Sequence, residues 1–169
     1  KKIWVNGTVE EGEFHDGGLH GEGKITWDTG ITYEGRFFRG SPANGKGKKT
    51  YPYGPTYEGV FFNGKLHGKG KVTCADDTVH EGNFIHDVLQ GTGKVTFPNG
   101  DTYQGQFADY KPNGKGKVTL AGTIYEAITE LKGTFVNEQK IRTLRYETRK
   151  DEHVQEIQQL SKEEGDIKN

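Results

Sequence analysis

The residues best equipped for chemistry in this chain are six histidines, one cysteine and a row of five regularly spaced lysines. A zinc or catalytic site needs donors that converge at characteristic spacings. His15, His80, His86 and His153 show no such ligand spacing, so no metal site is expected. His20 and His67 each stand immediately before a glycine, at equivalent places in two similar segments. Cys74 is the only cysteine, which excludes an intramolecular disulfide and fits a reducing compartment. It occupies a position that elsewhere carries an aromatic residue, so a packed thiol is expected rather than a nucleophile. Glycine pairs of the form G-x-G occur at Gly21/Gly23, Gly45/Gly47, Gly68/Gly70, Gly91/Gly93 and Gly114/Gly116. They precede short strand-like runs rather than helices, so the geometry that cradles phosphate is lacking. No catalytic residue, cofactor or small-molecule substrate is predicted.

Lys24, Lys48, Lys71, Lys94 and Lys117 suggest an anion-binding track. Glu11, Glu34, Glu58 and Glu81 run on neighbouring strands and are expected to pair with them. The net charge is −1, so no overall field attracts nucleic acid or acidic lipid. Alternation also sends the aromatic residues and the lysines to opposite faces. Single-strand nucleic-acid binders place stacking rings and cations on one surface, so that function is disfavoured.

What positions these residues is a repeat. The glycine of a Tyr-Glu-Gly-x-Phe-like unit recurs at Gly12, Gly35, Gly59, Gly82 and Gly105, at steps of 23, 24, 23 and 23 residues. A fixed period of this size means one supersecondary unit stacked into an array. Each unit holds two strand-like runs, such as Tyr57–Phe62 and Gly70–Cys74. A link, Asn63–Gly68 in the third unit, joins them. Turn signals such as Asp28-Thr29-Gly30 and Pro98-Asn99-Gly100-Asp101 separate one unit from the next. Each unit is therefore read as a β-hairpin, and the array as an antiparallel meander.

With the Tyr-Glu-Gly glycine numbered as position 3, period-2 alternation assigns the two faces. One carries a ladder of Tyr33, Tyr57, His80 and Tyr103 at position 1, and Phe14, Phe37, Phe61, Phe84 and Phe107 at position 5. Trp27, Tyr51, Cys74, Phe97 and Leu120 follow at position 18. The small residue at position 3 lets neighbouring rings lie over its backbone. The other face carries the Glu and Lys rows with Thr at position 17. Three apolar residues, Phe38, Phe62 and Ile85, break its polarity at position 6. Two partner surfaces follow. The first is the ladder groove, with Tyr33, Phe37, Tyr57, Phe61, Phe84, Tyr103 and Phe107. The second is the Phe38, Phe62, Ile85 stripe.

The units resemble MORN repeats (membrane occupation and recognition nexus). The resemblance is carried by Tyr33-Glu34-Gly35-Arg36-Phe37, by Tyr57-Glu58-Gly59 through His67-Gly68-Lys69-Gly70, by Phe97–Tyr103 and by Tyr103-Gln104-Gly105-Gln106-Phe107. It covers about residues 2–122. A sixth unit is expected to start at Lys132-Gly133-Thr134-Phe135, after a lengthened step containing Ile124–Thr129. The resemblance implies an elongated, curved, single-layer sheet with a groove. It makes His20 and His67 structural. It also implies a non-catalytic scaffold or docking role, with a cytoplasmic, cytoskeletal or ciliary axonemal setting and protein partners in a multi-subunit assembly. Alternatives are a peripheral module binding acidic phospholipids through the lysine row, or a regulatory array belonging to a larger enzyme. Departures are one extra residue near Ser41–Asn44, His80 in place of Tyr, and Asp77 and Asp87 where glycine is usual.

Trp4 and Gly7 match positions 18 and 21 of an incomplete unit. With no methionine at residue 1, this predicts a processed form or fragment with further repeats upstream. The array is expected over 1–140. A linker and helix are expected over 141–169, because Thr148–Asp151 reads as a helix start and Val154, Ile157 and Leu160 follow at steps of three. That helix would cap the last repeats and leave the rest of the ladder open.

Overall fold

The computed structural model describes residues 1–121 and 129–131. The predicted helix, the sixth unit at Lys132–Phe135 and the boundary at residue 140 lie outside the described residues. Within them the chain is one antiparallel sheet of twelve strands in simple sequential order. The strands are β1 (Lys2–Ile3), β2 (Val9–His15), β3 (Gly18–Thr26), β4 (Thr32–Phe38), β5 (Ser41–Thr50) and β6 (Thr56–Phe62). They continue as β7 (Lys65–Thr73), β8 (Val79–Ile85), β9 (Val88–Thr96), β10 (Thr102–Ala108), β11 (Lys111–Thr119) and β12 (Thr129–Leu131). β2–β3, β4–β5, β6–β7, β8–β9 and β10–β11 form five hairpins, numbered one to five below. At about 4.8 Å per strand the sheet runs roughly 50 Å across its strands.

The hairpin link is shorter than the sequence suggests. Asn63–Gly68 was expected as connection, yet only Asn63 and Gly64 form the turn, and Lys65 already belongs to β7. Each hairpin closes on two residues with positive φ: Asp16 and Gly17, Arg39 and Gly40, Asn63 and Gly64, His86 and Asp87, Asp109 and Tyr110. Two positive φ angles give a type I′ turn, whose twist matches that of the flanking strands. The residues misread as loop are strand interrupted by a bulge. Opposite the single residue Glu13 lie residues 20–22, because Gly12 pairs with Gly23 while Phe14 pairs with Leu19. In hairpin two Gly35 pairs with Gly47 and Phe37 with Pro42, so the bulge holds residues 43–46. The extra residue of that unit is absorbed there, which leaves the register on either side unchanged.

Successive hairpins are joined by one recurring turn. The position 18 amide donates to a carbonyl four residues on, and its own carbonyl accepts from three residues on. The pair occurs at Trp27, Tyr51, Cys74 and Phe97, and also at Trp4, where Trp4 N–H donates to Thr8 O and Gly7 N–H to Trp4 O. Trp4 and Gly7 thus have the geometry that their place in the period predicts. Asp77 takes the glycine position of its turn at φ 65°.

The core is the ladder face. Tyr33, Phe37, Phe61, Phe84, Tyr103 and Phe107 keep 3% or less of their surface exposed, and Ile25, Val72, Val95 and Val118 are buried beside them. Phe14 departs from the expectation and is exposed. Of its flanking strands, β1 is two residues long and pairs only with Val9 and Glu10, so no strand reaches alongside Phe14 on that side.

Candidate functional site

A single layer buries its rings because they lie on a glycine floor. Glycines pair across the middle of each hairpin: Gly12 with Gly23, Gly35 with Gly47, Gly59 with Gly70, Gly82 with Gly93, Gly105 with Gly116. In hairpins one, three and four the floor is covered by Leu19, Leu66 and Leu89, all fully buried. A methyl group on Gly70 would lie 2.8 Å from the Leu66 side chain and 2.9 Å from Glu58 O. These leucines are the core residues that sequence reading missed, since they fell inside the presumed link. Their signal was recurrence one residue before His20, His67 and Gln90.

In hairpins two and five the same position is Pro42 and Pro112, too short to reach the floor. Position 1 supplies the cover instead. A methyl on Gly47 would meet the Tyr33 hydroxyl at 2.6 Å, and one on Gly116 would meet the Tyr103 ring. Tyr33 stands edge-on to Phe37 at 5.6 Å and to Phe61 of the next hairpin at 5.4 Å, joining two hairpins through one ring. Burial, with the Glu22 carboxylate adding to it, pushes the Tyr33 phenol pKa up. In hairpins three and four, where leucine holds the floor, position 1 is displaced toward the rim. Tyr57 is half-buried against Tyr51 at 6.0 Å, and His80 is half-buried against Tyr110 at 5.1 Å. Burial pushes the His80 imidazole down, against an upward pull from Asp76.

The seven groove residues therefore divide. Six form the packed floor, and Tyr57 reaches the surface at the rim, with Trp27, Tyr51, Cys74 and Phe97 half-buried along it. Burial chiefly, with Asp76 next, raises the Cys74 thiol pKa, which makes the thiol less nucleophilic.

On the opposite face the lysine row is interleaved with carboxylates. Lys24 stands between Glu11 and Glu34, Lys48 between Glu34 and Glu58, Lys71 between Glu58 and Glu81. Lys24 pairs with Glu34 at 2.8 Å and Lys48 with Glu58 at 2.9 Å. Both pairs are exposed, so each contributes about 1 kcal/mol or less. Their main effect is to cancel the stripe. The pattern ends at Gln104, which stands between Lys94 and Lys117 in place of a carboxylate.

Phe38, Phe62 and Ile85 remain 55%, 46% and 49% exposed. The position 11 histidines flank them: His20 lies 5.2 Å from Phe38 and His67 lies 5.9 Å from Phe62. Val60 shares their face two residues before Phe62 and is also exposed. Opposite Val60 is Lys46 and opposite Asn83 is Lys69, while Arg36, two residues before Phe38, stands opposite Glu22. An apolar stripe with a basic border results. Among the described residues no group of three or more His, Cys, Asp or Glu is placed to hold a metal ion.

A family model described as MORN repeat matches residues 11–32, 57–79, 80–102 and 103–121. The chain belongs to the MORN-repeat family. MORN repeats mediate protein or membrane interactions and are typically non-enzymatic modules. No curated protein matches the chain. Between the matched segments, the unmatched residues 33–56 hold hairpin two. It is a MORN hairpin in strand pairing and turn geometry, and differs in the extra residue of its bulge.

Proposed function

We propose that this MORN array is a non-catalytic scaffold that docks protein segments of a larger assembly. The observation that carries the reading is the contrast in exposure between its two apolar sets. The ladder rings are consumed by their own packing, while Phe38, Phe62 and Ile85 align in three consecutive hairpins and remain half exposed. Aligned exposed apolar side chains are a contact surface in a way that scattered ones are not. The border of Lys46 and Lys69, which face Val60 and Asn83 rather than carboxylates, favours a partner segment with apolar anchors and acidic flanks. At the ladder groove, a partner's contacts would fall on the rim, at Tyr57 and its neighbours, with Tyr33, Phe37, Phe61, Phe84, Tyr103 and Phe107 as the support beneath. A cytoplasmic setting, cytoskeletal or axonemal, is proposed on the family resemblance alone.

The test is affinity capture with the double variant Phe38→Asp, Phe62→Asp. Partner capture should be lost while thermal unfolding stays cooperative; undiminished capture removes this surface from the reading. A second reading, acidic-lipid binding through Lys24, Lys48, Lys71, Lys94 and Lys117, is favoured by one observation. Gln104 interrupts the carboxylate row between Lys94 and Lys117. Salt-sensitive binding to phosphatidylserine vesicles, abolished by Lys94→Glu with Lys117→Glu, would establish it in place of protein docking.

A further inference from the structure

The ladder face is not uniformly closed. A cavity of about 820 Å³ opens between hairpins three and five, walled chiefly by Cys74, His80, Val95, Phe97, Tyr110 and Pro112. Its size is that of a site for several side chains. It exists because position 1 is His80 rather than a tyrosine, and because position 18 shrinks to Cys74. Tyr110, standing where a turn glycine is usual, closes one wall. Its hydroxyl donates to Asp87 O, and its ring packs 6.1 Å from Phe84. The cavity's charge lies toward the inter-hairpin turns. Asp76 lines it there, with Asp77 adjacent in the same turn, against Lys111 at the opposite edge; the neighbouring Asp101 is buried, its carboxylate accepting the Asn99 side-chain amide and the Ala121 N–H. The Asp76 carboxylate accepts the Thr78 N–H at 3.0 Å, which holds its pKa low and keeps it charged.

We propose that this cavity is the docking site of the chain's own basic segment, residues 140–150, so that the array carries a built-in competitor for its groove. The segment reads Lys140-Ile141-Arg142-Thr143-Leu144-Arg145-Tyr146-Glu147-Thr148-Arg149-Lys150, five cations against one carboxylate, with three large apolar side chains among them. Ile141, Leu144 and Tyr146 suit the apolar walls, and the arginines suit the acidic rim. The path also fits. β12 runs antiparallel to β11 with Thr129 opposite Val118 and Leu131 opposite Gly116. The chain therefore leaves β12 heading toward Pro112, itself a wall of the cavity. Residues 132–139 span up to about 26 Å if extended, whereas the cavity lies within two or three strand spacings, about 10–15 Å. A tether of this length holds the segment at an effective concentration of order millimolar. The inference rests on the docking reading of the ladder face, but the first arm of its test needs no partner.

Cys74 reports occupancy, since it is the chain's only cysteine and lines the cavity. Maleimide labelling of the full chain, followed by intact mass, would be compared between the native sequence and the variant Arg142→Glu, Leu144→Asp, Arg145→Glu. Thermal unfolding checks that the array is intact in the variant. Labelling should accelerate at least about tenfold in the variant, and a synthetic peptide of residues 140–150 should slow it again. Equal rates, with no protection by the peptide, overturn the inference. Equal rates with protection only on adding a captured partner also overturn it, and make the cavity a partner's site instead.

Discussion

Hairpins one, three and four solve one packing problem with leucine, and hairpins two and five solve it with tyrosine. The problem is the pair of glycines at the middle of each hairpin, whose bare backbone needs an apolar cover. Where the strand entering the bulge carries leucine, the cover comes from within the bulged strand, and in hairpins three and four position 1 is released to the rim. Where it carries proline, position 1 must lie down. The choice also changes how one hairpin grips the next. Leu19, Leu66 and Leu89 carbonyls accept the turn amides of Gly40, Asp87 and Tyr110 at 2.9, 2.9 and 3.3 Å. In hairpin two the Asn44 side chain, within the enlarged bulge, accepts the Asn63 N–H at 2.9 Å instead. Equivalent positions in a repeat thus need not do equivalent work. That the glycines are covered matters more than which residue covers them.

The largest expected effect comes from removing a cover. Leu66→Ala should lose about 3 kcal/mol in urea unfolding, since it opens a cavity over two glycines. Pro42→Ala, at the equivalent place, should cost about 1 kcal/mol or less. Equal losses would mean that the two hairpin types are not distinct. Next in size is Pro42→Leu, which brings two covers to one floor and should destabilise by about 1–3 kcal/mol through overpacking. Combined with Tyr33→His, which reproduces the pairing of Leu89 with His80, it should cost less than the sum of the single changes. A double-mutant cycle reads that coupling.

A smaller contrast separates the two tyrosines. The Tyr103 hydroxyl donates to Gln106 O at 3.2 Å, whereas the Tyr33 hydroxyl is buried with no hydrogen-bond partner among the described residues. Tyr103→Phe should cost about 1 kcal/mol, and Tyr33→Phe should be neutral or stabilising by up to about 1 kcal/mol. The smallest effect is the pH response of the leucine-type hairpin four. His80 is held neutral by burial, with its folded pKa below the ordinary value. The unfolded chain then binds the extra proton first. Stability is fully present above about pH 6.5 and falls as pH drops toward the folded pKa. Melting temperature should decline in that window, and His80→Phe should flatten the decline. Losses below about pH 4.5 belong instead to carboxylates such as Glu58, whose pKa its Lys48 hydrogen bond holds low.

Much of this was legible in the chain. The period placed five hairpins, and alternation placed Phe37 and Phe61 on one face and the Glu–Lys rows on the other. Trp4 and Gly7 were correctly assigned to an inter-hairpin turn. The bulge was not legible, because three residues facing one leave no mark in composition, and a run such as Leu66-His67-Gly68 reads as loop. Missing the bulge hid the leucines.

Sequence by itself determined the repeat, the meander, the cancellation of the lysine stripe and the polarity of each face. These follow from local spacing and from the two-residue alternation of a strand. Tertiary structure alone decided that the sheet would bury its aromatic ladder, that Tyr33 and Tyr57 would part company, and that a cavity would open beside His80. Each of those outcomes depends on which side chain, drawn from a neighbouring strand, reaches the glycine floor first, and so on volumes and register across hairpins rather than on order along the chain.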